Sequence, residues 1–456
     1  MANSKTRLGV SAYAIVAFVF MISTNAVRNL LDWTGFLVCA FVLVAVGVVI
    51  FVKLKPERFR WYRLPSPIYW FLALALLSIF WSQYRFESVL GNLAQIATTL
   101  LAVVLAFVLT WHELLRTLAS ALRWVIGGSF LFELWVSLFH GGPLLPWWQE
   151  VPEGKTPKLL YWSRDLLFDG GPIQGLLGSS TLFGFVGLLA LIVFVVQLRA
   201  GLVGRTLGWF WLAMAILTLA LTRSATVTVA LAAVAVALVF VIWARRNGQV
   251  HRTPIYVTGG VLIAAIVATV IFARDFVFGL LGKSSDMTGR LETWEKVIEL
   301  AQQRPWFGWG WVSYWAPWVE PYKSLDVQGG IQVMSAHNAW LDVWLQLGIV
   351  GVLVFAPLVV LTLLRVWFRA VDQPRRGSGP ALPYATSAIW PFLVMVALVI
   401  QSLAESRILI ESGWLLLIIL AVKSRFDFQL PSHDAEPRKV PWRKIPIVRD
   451  TEHSHA

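Results

Sequence analysis

Long apolar runs alternate with short polar connections along the whole chain, at about 9–27, 33–52, 67–82, 89–110, 117–139, 176–198, 207–222, 225–244, 255–273, 339–364, 385–404 and 408–422. Each run is near the length a helix needs to cross a hydrocarbon layer, so the pattern predicts about twelve spans and an all-α polytopic membrane protein. Only two connections are long, 140–175 and 274–338. The second carries an amphipathic pattern of the ordinary kind. Leu291, Trp294, Val297, Ile298 and Ala301 recur at helical spacing opposite Glu292, Glu295, Lys296, Glu299, Gln302 and Gln303, and Pro305 ends the run. A helix over about 289–304 is expected, capped by Thr288 or Gly289 and lying on the membrane or over the bundle.

Charge orients this arrangement. With the N-terminus in the cytoplasm, alternate connections collect Lys53, Lys55, Arg58, Arg60 and Arg63, then Arg116, then Arg199 and Arg205, then Arg245, Arg246 and Arg252, then Arg365, Arg369, Arg375 and Arg376. The opposite connections hold little beyond Arg28, Arg85, Arg223 and Arg407. Basic residues concentrate in cytoplasmic loops, so both termini are expected inside and both long loops outside. Lys5 and Arg7 before the first run resemble a signal peptide, but the spans that follow at once predict a retained helix. The spans and loops make one domain, 1–423. From 424 to 456 the apolar content falls away and prolines and basic residues accumulate, which predicts a disordered cytoplasmic tail.

Composition agrees and narrows the class. The chain is 58% hydrophobic and 14% charged with mean hydropathy +0.70, far more apolar than a soluble domain. Its formal charge of +13 is read as topology and contact with anionic lipid rather than nucleic-acid binding. The single cysteine, Cys39, excludes an intramolecular disulfide or a thiolate metal cluster.

The candidate chemistry gathers at the outer ends of the spans. Arg290 falls in the first turn of the expected helix, where free backbone N–H groups and a guanidinium fork would converge on an anion, and Lys283 is close enough in sequence to add charge. His337 stands where the loop returns to the membrane. Asn338, Asp342 and Gln346 then recur every four residues as a polar stripe that should face the bundle interior or a wet cavity. Glu405 and Arg407 lie in the turn between the last two spans, positioned to pair with each other or to line the same cavity. Arg223, beside Thr222, Ser224 and Thr226, either snorkels at a helix end or faces a phosphate. Trp147 and Trp148, and the aromatic run Trp306, Phe307, Trp309, Trp311, Tyr314, Trp315, Trp318 and Tyr322, are expected to anchor the loops at the interface. Stacking on sugar rings or a prenyl chain is their alternative role.

Gly282-Lys283, Thr288-Gly289-Arg290, Trp294, Arg304-Pro305, Gly308, Gly310, His337-Asn338, Leu341, Gly348 and Gly351, in that order, resemble the O-antigen ligase and polysaccharide polymerase superfamily, nearest its exopolysaccharide polymerase branch. The resemblance in motifs covers about 70 residues, and the hydropathy and the long loop before the tenth span extend it over most of the chain. It implies a GT-C-type glycosyltransferase of the bacterial cytoplasmic membrane. Such an enzyme takes glycan from an undecaprenyl-diphosphate-linked donor at the extracytoplasmic face, without cofactor, nucleotide sugar or obligatory metal, and passes it to a glycan, lipid or protein acceptor. Arg290 matches the arginine that holds the diphosphate and His337 the histidine that activates the acceptor hydroxyl. Lys283, Arg223, Asn338, Trp294, Asp342 and Glu405 complete the expected substrate-binding set.

There are departures. Ala225 follows Ser224 where the family often has a basic residue, the charge being at Arg223 instead. Gln174, Ser179, Ser180 and Thr181 stand where a basic residue and an asparagine are frequent, and Gln346 where a glutamate is common. Within the class a ligase for finished glycan is the alternative to a polymerase. Outside it stand a transporter or flippase, for which paired repeats and broken midplane helices are the expected signs and neither shows in the sequence, and a purely structural envelope component.

Overall fold

A computed structural model describes residues 4–56, 59–149, 156–248, 251–272, 285–328, 330–374 and 381–429. Every expected apolar run is helical within it. The helices are α1 (Ser4–Ile22), α2 (Thr24–Leu54), α3 (Ser66–Leu77), α4 (Arg85–Val108), α5 (Trp111–Trp135), α6 (Ser180–Arg199), α7 (Arg205–Thr222), α8 (Ala225–Asn247) and α9 (Thr253–Phe272). The long loop contributes α10 (Ser285–Gln303), the single turn α11 (Tyr322–Leu325) and a minimal antiparallel hairpin, β1 (Val327–Gln328) with β2 (Ile331–Gln332). The last helices are α12 (Ala339–Val371), α13 (Trp390–Ser402) and α14 (Glu411–Gln429). Among the described residues 8 helices, α1, α2, α4 to α8 and α12, are long and apolar enough to cross a membrane; α3, α9 and α13 are shorter apolar helices. The protein is an all-α, multi-pass membrane protein.

Burial sorts these helices into a centre and a coat. Trp414 to Val422 of α14 are all buried, which is the pattern of a helix that is apolar on every side. It packs against α4, α12, α1 and α13, and Trp414 Nε1 donates to Thr99 Oγ1 at 2.9 Å. On the outside, α2, α7, α8 and α9 expose large apolar side chains such as Phe41, Phe210, Val229 and Ile263, the surface expected to meet acyl chains.

Several boundaries differ from the expected ones. The first helix ends at Ile22, before Ser23 and Asn25, because the Asn25 amide turns to Leu177 O (3.0 Å) in the neighbouring loop. Asp32 interrupts α2 at φ 62° and separates a short, more polar segment from the apolar run. α14 continues to Gln429, so residues 424–429, expected in the tail, are helical; 430–456 lie outside the described residues.

The long loop packs as a cap on the bundle. On α10 the inward face is Arg290, Thr293, Val297, Leu300 and Ala301, rotated from the expected apolar stripe because Arg290 and Thr293 are buried too. Val297, Leu300 and Ala301 form a second core with Trp309, Val312, Trp315, Tyr322, Val333 and Leu345. Trp309, Trp311, Trp315 and Tyr322 are therefore interior packing, not membrane anchors or sugar platforms, while Trp306, Phe307 and Trp318 stay exposed. Trp147 and Trp148 dock their loop on α2 instead, their indole N–H groups donating to Leu30 O (3.0 Å) and Arg28 O (3.1 Å).

α12 is broken too, contrary to expectation. Within α12 Gly348 adopts φ 70°, ψ −170°, and the loop 305–310 splices the gap. Trp309 N and Gly310 N donate to Leu345 O (3.0 Å) and Gln346 O (2.9 Å), while Ile349 N and Val350 N donate to Pro305 O (2.8 Å) and Trp306 O (3.2 Å). A Cβ on Gly348 would lie 2.2 Å from the Trp306 carbonyl. The Pro-x-x-Gly-x-Gly run and Gly348 thus belong to one backbone joint that satisfies the groups the break releases.

Candidate active site

The joint fixes the start of α12, and with it the residues expected to do chemistry. Asn338 caps α12, its Oδ1 accepting from Trp340 N (3.0 Å) and Leu341 N (3.2 Å) while its Nδ2 donates to Leu403 O (3.2 Å). Asp342, a turn further on, is fully buried and accepts from Trp315 Nε1 (2.8 Å), Ala336 N (3.1 Å) and Ser406 Oγ. Gln346 closes the stripe: its Oε1 accepts from Val312 N (2.9 Å) and Ser313 N (3.2 Å), and its Nε2 donates to Ser313 O (3.3 Å). The stripe faces the loop rather than a wet cavity. An amide is suited to the last position because both its donor and its acceptor are used.

His337 precedes this cap at φ 47°, in the left-handed region that a non-glycine side chain rarely adopts. Its Nδ1 lies 3.2 Å from Glu405 Oε2. The other oxygen of the same carboxylate, Oε1, accepts from Arg290 Nη2 at 2.7 Å, and Arg290 Nη1 donates to Ala404 O (2.7 Å) and Thr226 Oγ1 (3.3 Å). Three segments far apart in sequence meet at one carboxylate. The pairing of Glu405 with Arg407 does not form; Arg407 binds Glu411. Burial would raise the Glu405 carboxyl, but His337, Arg290 and Arg407 together outweigh it and hold it at about 2. An ionised carboxylate only accepts, so His337 Nδ1 is the donor in this pair and Nε2 is the nitrogen left for other work. The His337 side chain is 37% exposed.

α10 begins at Ser285, ahead of the expected cap, so Arg290 lies in its second turn and not at its free N–H groups. What holds Arg290 is the Glu405 carboxylate and the Ala404 carbonyl. The helix is pinned by Asp326, which accepts from Lys296 Nζ (2.6 Å), Thr293 Oγ1 (2.6 Å) and Gln328 Nε2 (3.1 Å). Burial would raise the Asp326 carboxyl, and these three donors together with the Lys296 charge lower it below its usual range. Trp294 Nε1 donates to Ala336 O (2.8 Å), tying the same helix to the residue before His337. Arg223 caps α7 at φ 48° and is exposed, with no hydrogen bond or ion pair among the described residues. It lies three positions before Thr226, which Arg290 touches, in the connection between α7 and α8. Lys283 lies outside the described residues.

Glu133 was not expected. Buried in α5, its Oε1 accepts from Gln174 N (3.0 Å) and Gly175 N (2.6 Å) and its Oε2 from Ser163 Oγ (2.8 Å), which fixes the first long loop beside α6. A carboxylate inside an apolar run was the available signal. Ser179 caps α6, and Ser224 Oγ lies 3.5 Å from Thr181 Oγ1, so this loop and the α7–α8 turn meet at the same end of the bundle as Arg290.

Among known proteins, a model of the O-antigen ligase family matches residues 208–356, from α7 to the middle of α12. The exopolysaccharide production protein ExoQ of Rhizobium meliloti (strain 1021) is 28% identical over 107 residues, which is 23% of this chain and 24% of that protein. Both matches point to the O-antigen ligase and polysaccharide polymerase family over the middle of the chain. The family segment includes Arg223, Arg290, His337, Asn338, Asp342 and the Gly348 joint. It stops short of Glu405, which the fold supplies from the α13–α14 turn.

Proposed function

We propose that the chain is a GT-C-type glycosyltransferase that moves glycan from a polyprenyl-diphosphate-linked donor, undecaprenyl diphosphate in the bacterial cytoplasmic membrane, to an acceptor hydroxyl. The observation that carries this reading is the bridge from Arg290 through Glu405 to His337 at the outer end of the bundle. Glu405 accepts the hydrogen bond from Nδ1–H and orients the ring, leaving Nε2 to accept the proton of the acceptor hydroxyl. The hydroxyl oxygen bonds to the anomeric carbon of the donor sugar as the bond from that carbon to the diphosphate oxygen breaks. The electron pair leaves with the diphosphate, where fixed positive charge is needed as its negative charge grows.

Arg290 supplies part of that charge, but Glu405 already offsets some of it. Arg223, exposed, unpaired among the described residues and three positions before Thr226, supplies the rest in this reading, despite its offset from the usual family position. Asn338, Trp294 and Asp342 position the two reacting ends instead of gripping substrate. With twelve spans, both termini face the cytoplasm and the site faces outward; 1–423 forms the membrane domain and the basic tail follows. Polymerase is preferred to ligase because the aligned relative is named as an exopolysaccharide production protein. The break in α12 does not favour a transporter, because the loop backbone takes up the carbonyls that would otherwise line an ion path.

The test uses purified wild type, Arg290→Ala and His337→Ala with lipid-linked oligosaccharide from the same cells, scored for larger glycan. Folded variants that are silent beside an active wild type support the reading; an active His337→Ala overturns the role of that residue.

A further inference from the structure

At the opposite end of α6 and α7 from the Thr181 and Ser224 contact, the short turn between these helices borders a cavity. Its volume is about 540 Å³. Leu198, Val203 and Leu212 form an apolar floor, Trp209 a wall, and Arg199 and Arg205 a basic rim, with no acidic residue in the lining. Both arginines are exposed and make no hydrogen bond or ion pair among the described residues. Arg205 opens α7, where a cation opposes the helix dipole, an arrangement that an anion between the two guanidinium groups would relieve. From the cavity, Ile216 follows Trp209 and Leu212 at i, i+3, i+7 spacing on the same face of α7 and continues it as exposed apolar surface.

We propose that this cavity binds one anionic phospholipid, its phosphodiester between Arg199 and Arg205 and an acyl chain on Leu198 and Leu212 running out along α7. Charge and hydropathy argue together for a lipid over a soluble anion. The guanidinium forks match phosphate oxygens, while the floor and its continuation along α7 match hydrocarbon. Trp209, 57% exposed at the junction, is the residue type that settles where headgroup meets chain. In the orientation proposed above, this end meets the cytoplasmic leaflet, where anionic lipid draws basic residues. The site is remote from Glu405, and its test does not require glycosyl transfer.

The experiment incubates the purified full chain in neutral detergent with dioleoyl phosphatidylglycerol or dioleoyl phosphatidylcholine and counts retained lipid by native mass spectrometry. Wild type is expected to prefer phosphatidylglycerol by about thirtyfold, from roughly 1 kcal/mol for each of the two arginines near a phosphate. Arg199→Gln/Arg205→Gln should lose the preference. Leu198→Trp, which fills the floor and keeps both arginines, should lose it as well. If the double variant does not fold, Arg199→Gln and Arg205→Gln are read singly, each expected to lower retention about fivefold. Equal retention of the two lipids by wild type, or variants that retain as wild type does, would overturn the site. Full retention by Leu198→Trp alone would reduce it to surface charge, and displacement of the lipid by millimolar inorganic phosphate would make it a site for free anions; either result overturns the lipid assignment.

Discussion

Glu405 Oε2 lies 3.2 Å from His337 Nδ1, a contact between residues 68 positions apart in the chain. Its other oxygen holds Arg290, so one carboxylate sets the place of both the candidate base and the candidate phosphate ligand. Glu405→Gln keeps the shape and removes the charge. It leaves a buried arginine without its counter-ion and frees the His337 tautomer. Transfer is expected to fall by roughly 100-fold or more, chiefly in kcat, with an altered pH profile. An unchanged kcat would show that the bridge is structural only.

The depressed carboxyl of Glu405 makes stability depend on pH in a defined window. Its folded value is about 2 against an ordinary 4.5, so its contribution is fully present above pH 4.5 and is lost as pH falls from there towards 2. The thermal midpoint in detergent should be level from neutrality to about pH 5 and drop below that. In Glu405→Gln the portion of that drop due to this group should vanish.

Arg223 separates binding from folding. Exposed and unpartnered, it should leave the thermal midpoint unchanged when replaced by alanine. The KM for the lipid-linked donor should rise by about tenfold, the loss expected for one charged contact to phosphate. An unchanged donor KM would return Arg223 to the role of a helix-end arginine.

The joint between the loop and α12 should be intolerant of side chains. Gly348→Ala places a Cβ 2.2 Å from the Trp306 carbonyl at φ 70°, and Gly310→Ala places one 2.6 Å from Ser82 Cβ at φ 114°. Each is expected to cost about 3 kcal/mol or more, read as lost yield or early proteolysis of the loop. Gly260→Ala, with nothing within 4 Å of its added Cβ, should behave as wild type.

Gln346→Glu tests the departure from the usual family residue. A carboxylate would still accept from Val312 N and Ser313 N, but could not donate to Ser313 O unless protonated. A loss of about 1–3 kcal/mol is expected, with greater protease access to the loop.

The helices were legible because membrane burial writes itself as long apolar runs, and the long amphipathic loop stood out against them. Arg290 and His337 were legible as positions, through the Thr-Gly-Arg and His-Asn pairs, but not as a bridged pair. Glu405 is 115 residues from Arg290, and its nearer partner in sequence, Arg407, drew the local reading. The break at Gly348 was hidden because hydropathy does not register backbone angles inside an apolar run. Dense tryptophan beside membrane spans suggested anchoring, yet Trp309 and Trp315 are in the core of a cap whose irregular backbone has no period to read. Glu133 was concealed in the same way, its partners being backbone N–H groups and one hydroxyl of a loop without regular structure.

The most direct test of the central claim is stoichiometric. Purified chain in proteoliposomes is supplied with lipid-linked oligosaccharide, and released polyprenyl diphosphate is counted against new glycosidic bonds. Wild type should give one for one, and His337→Ala neither, with a rate lower by roughly 100- to 10,000-fold while donor still binds. Glycan that crosses the bilayer still attached to its lipid, with no diphosphate released, would contradict the account.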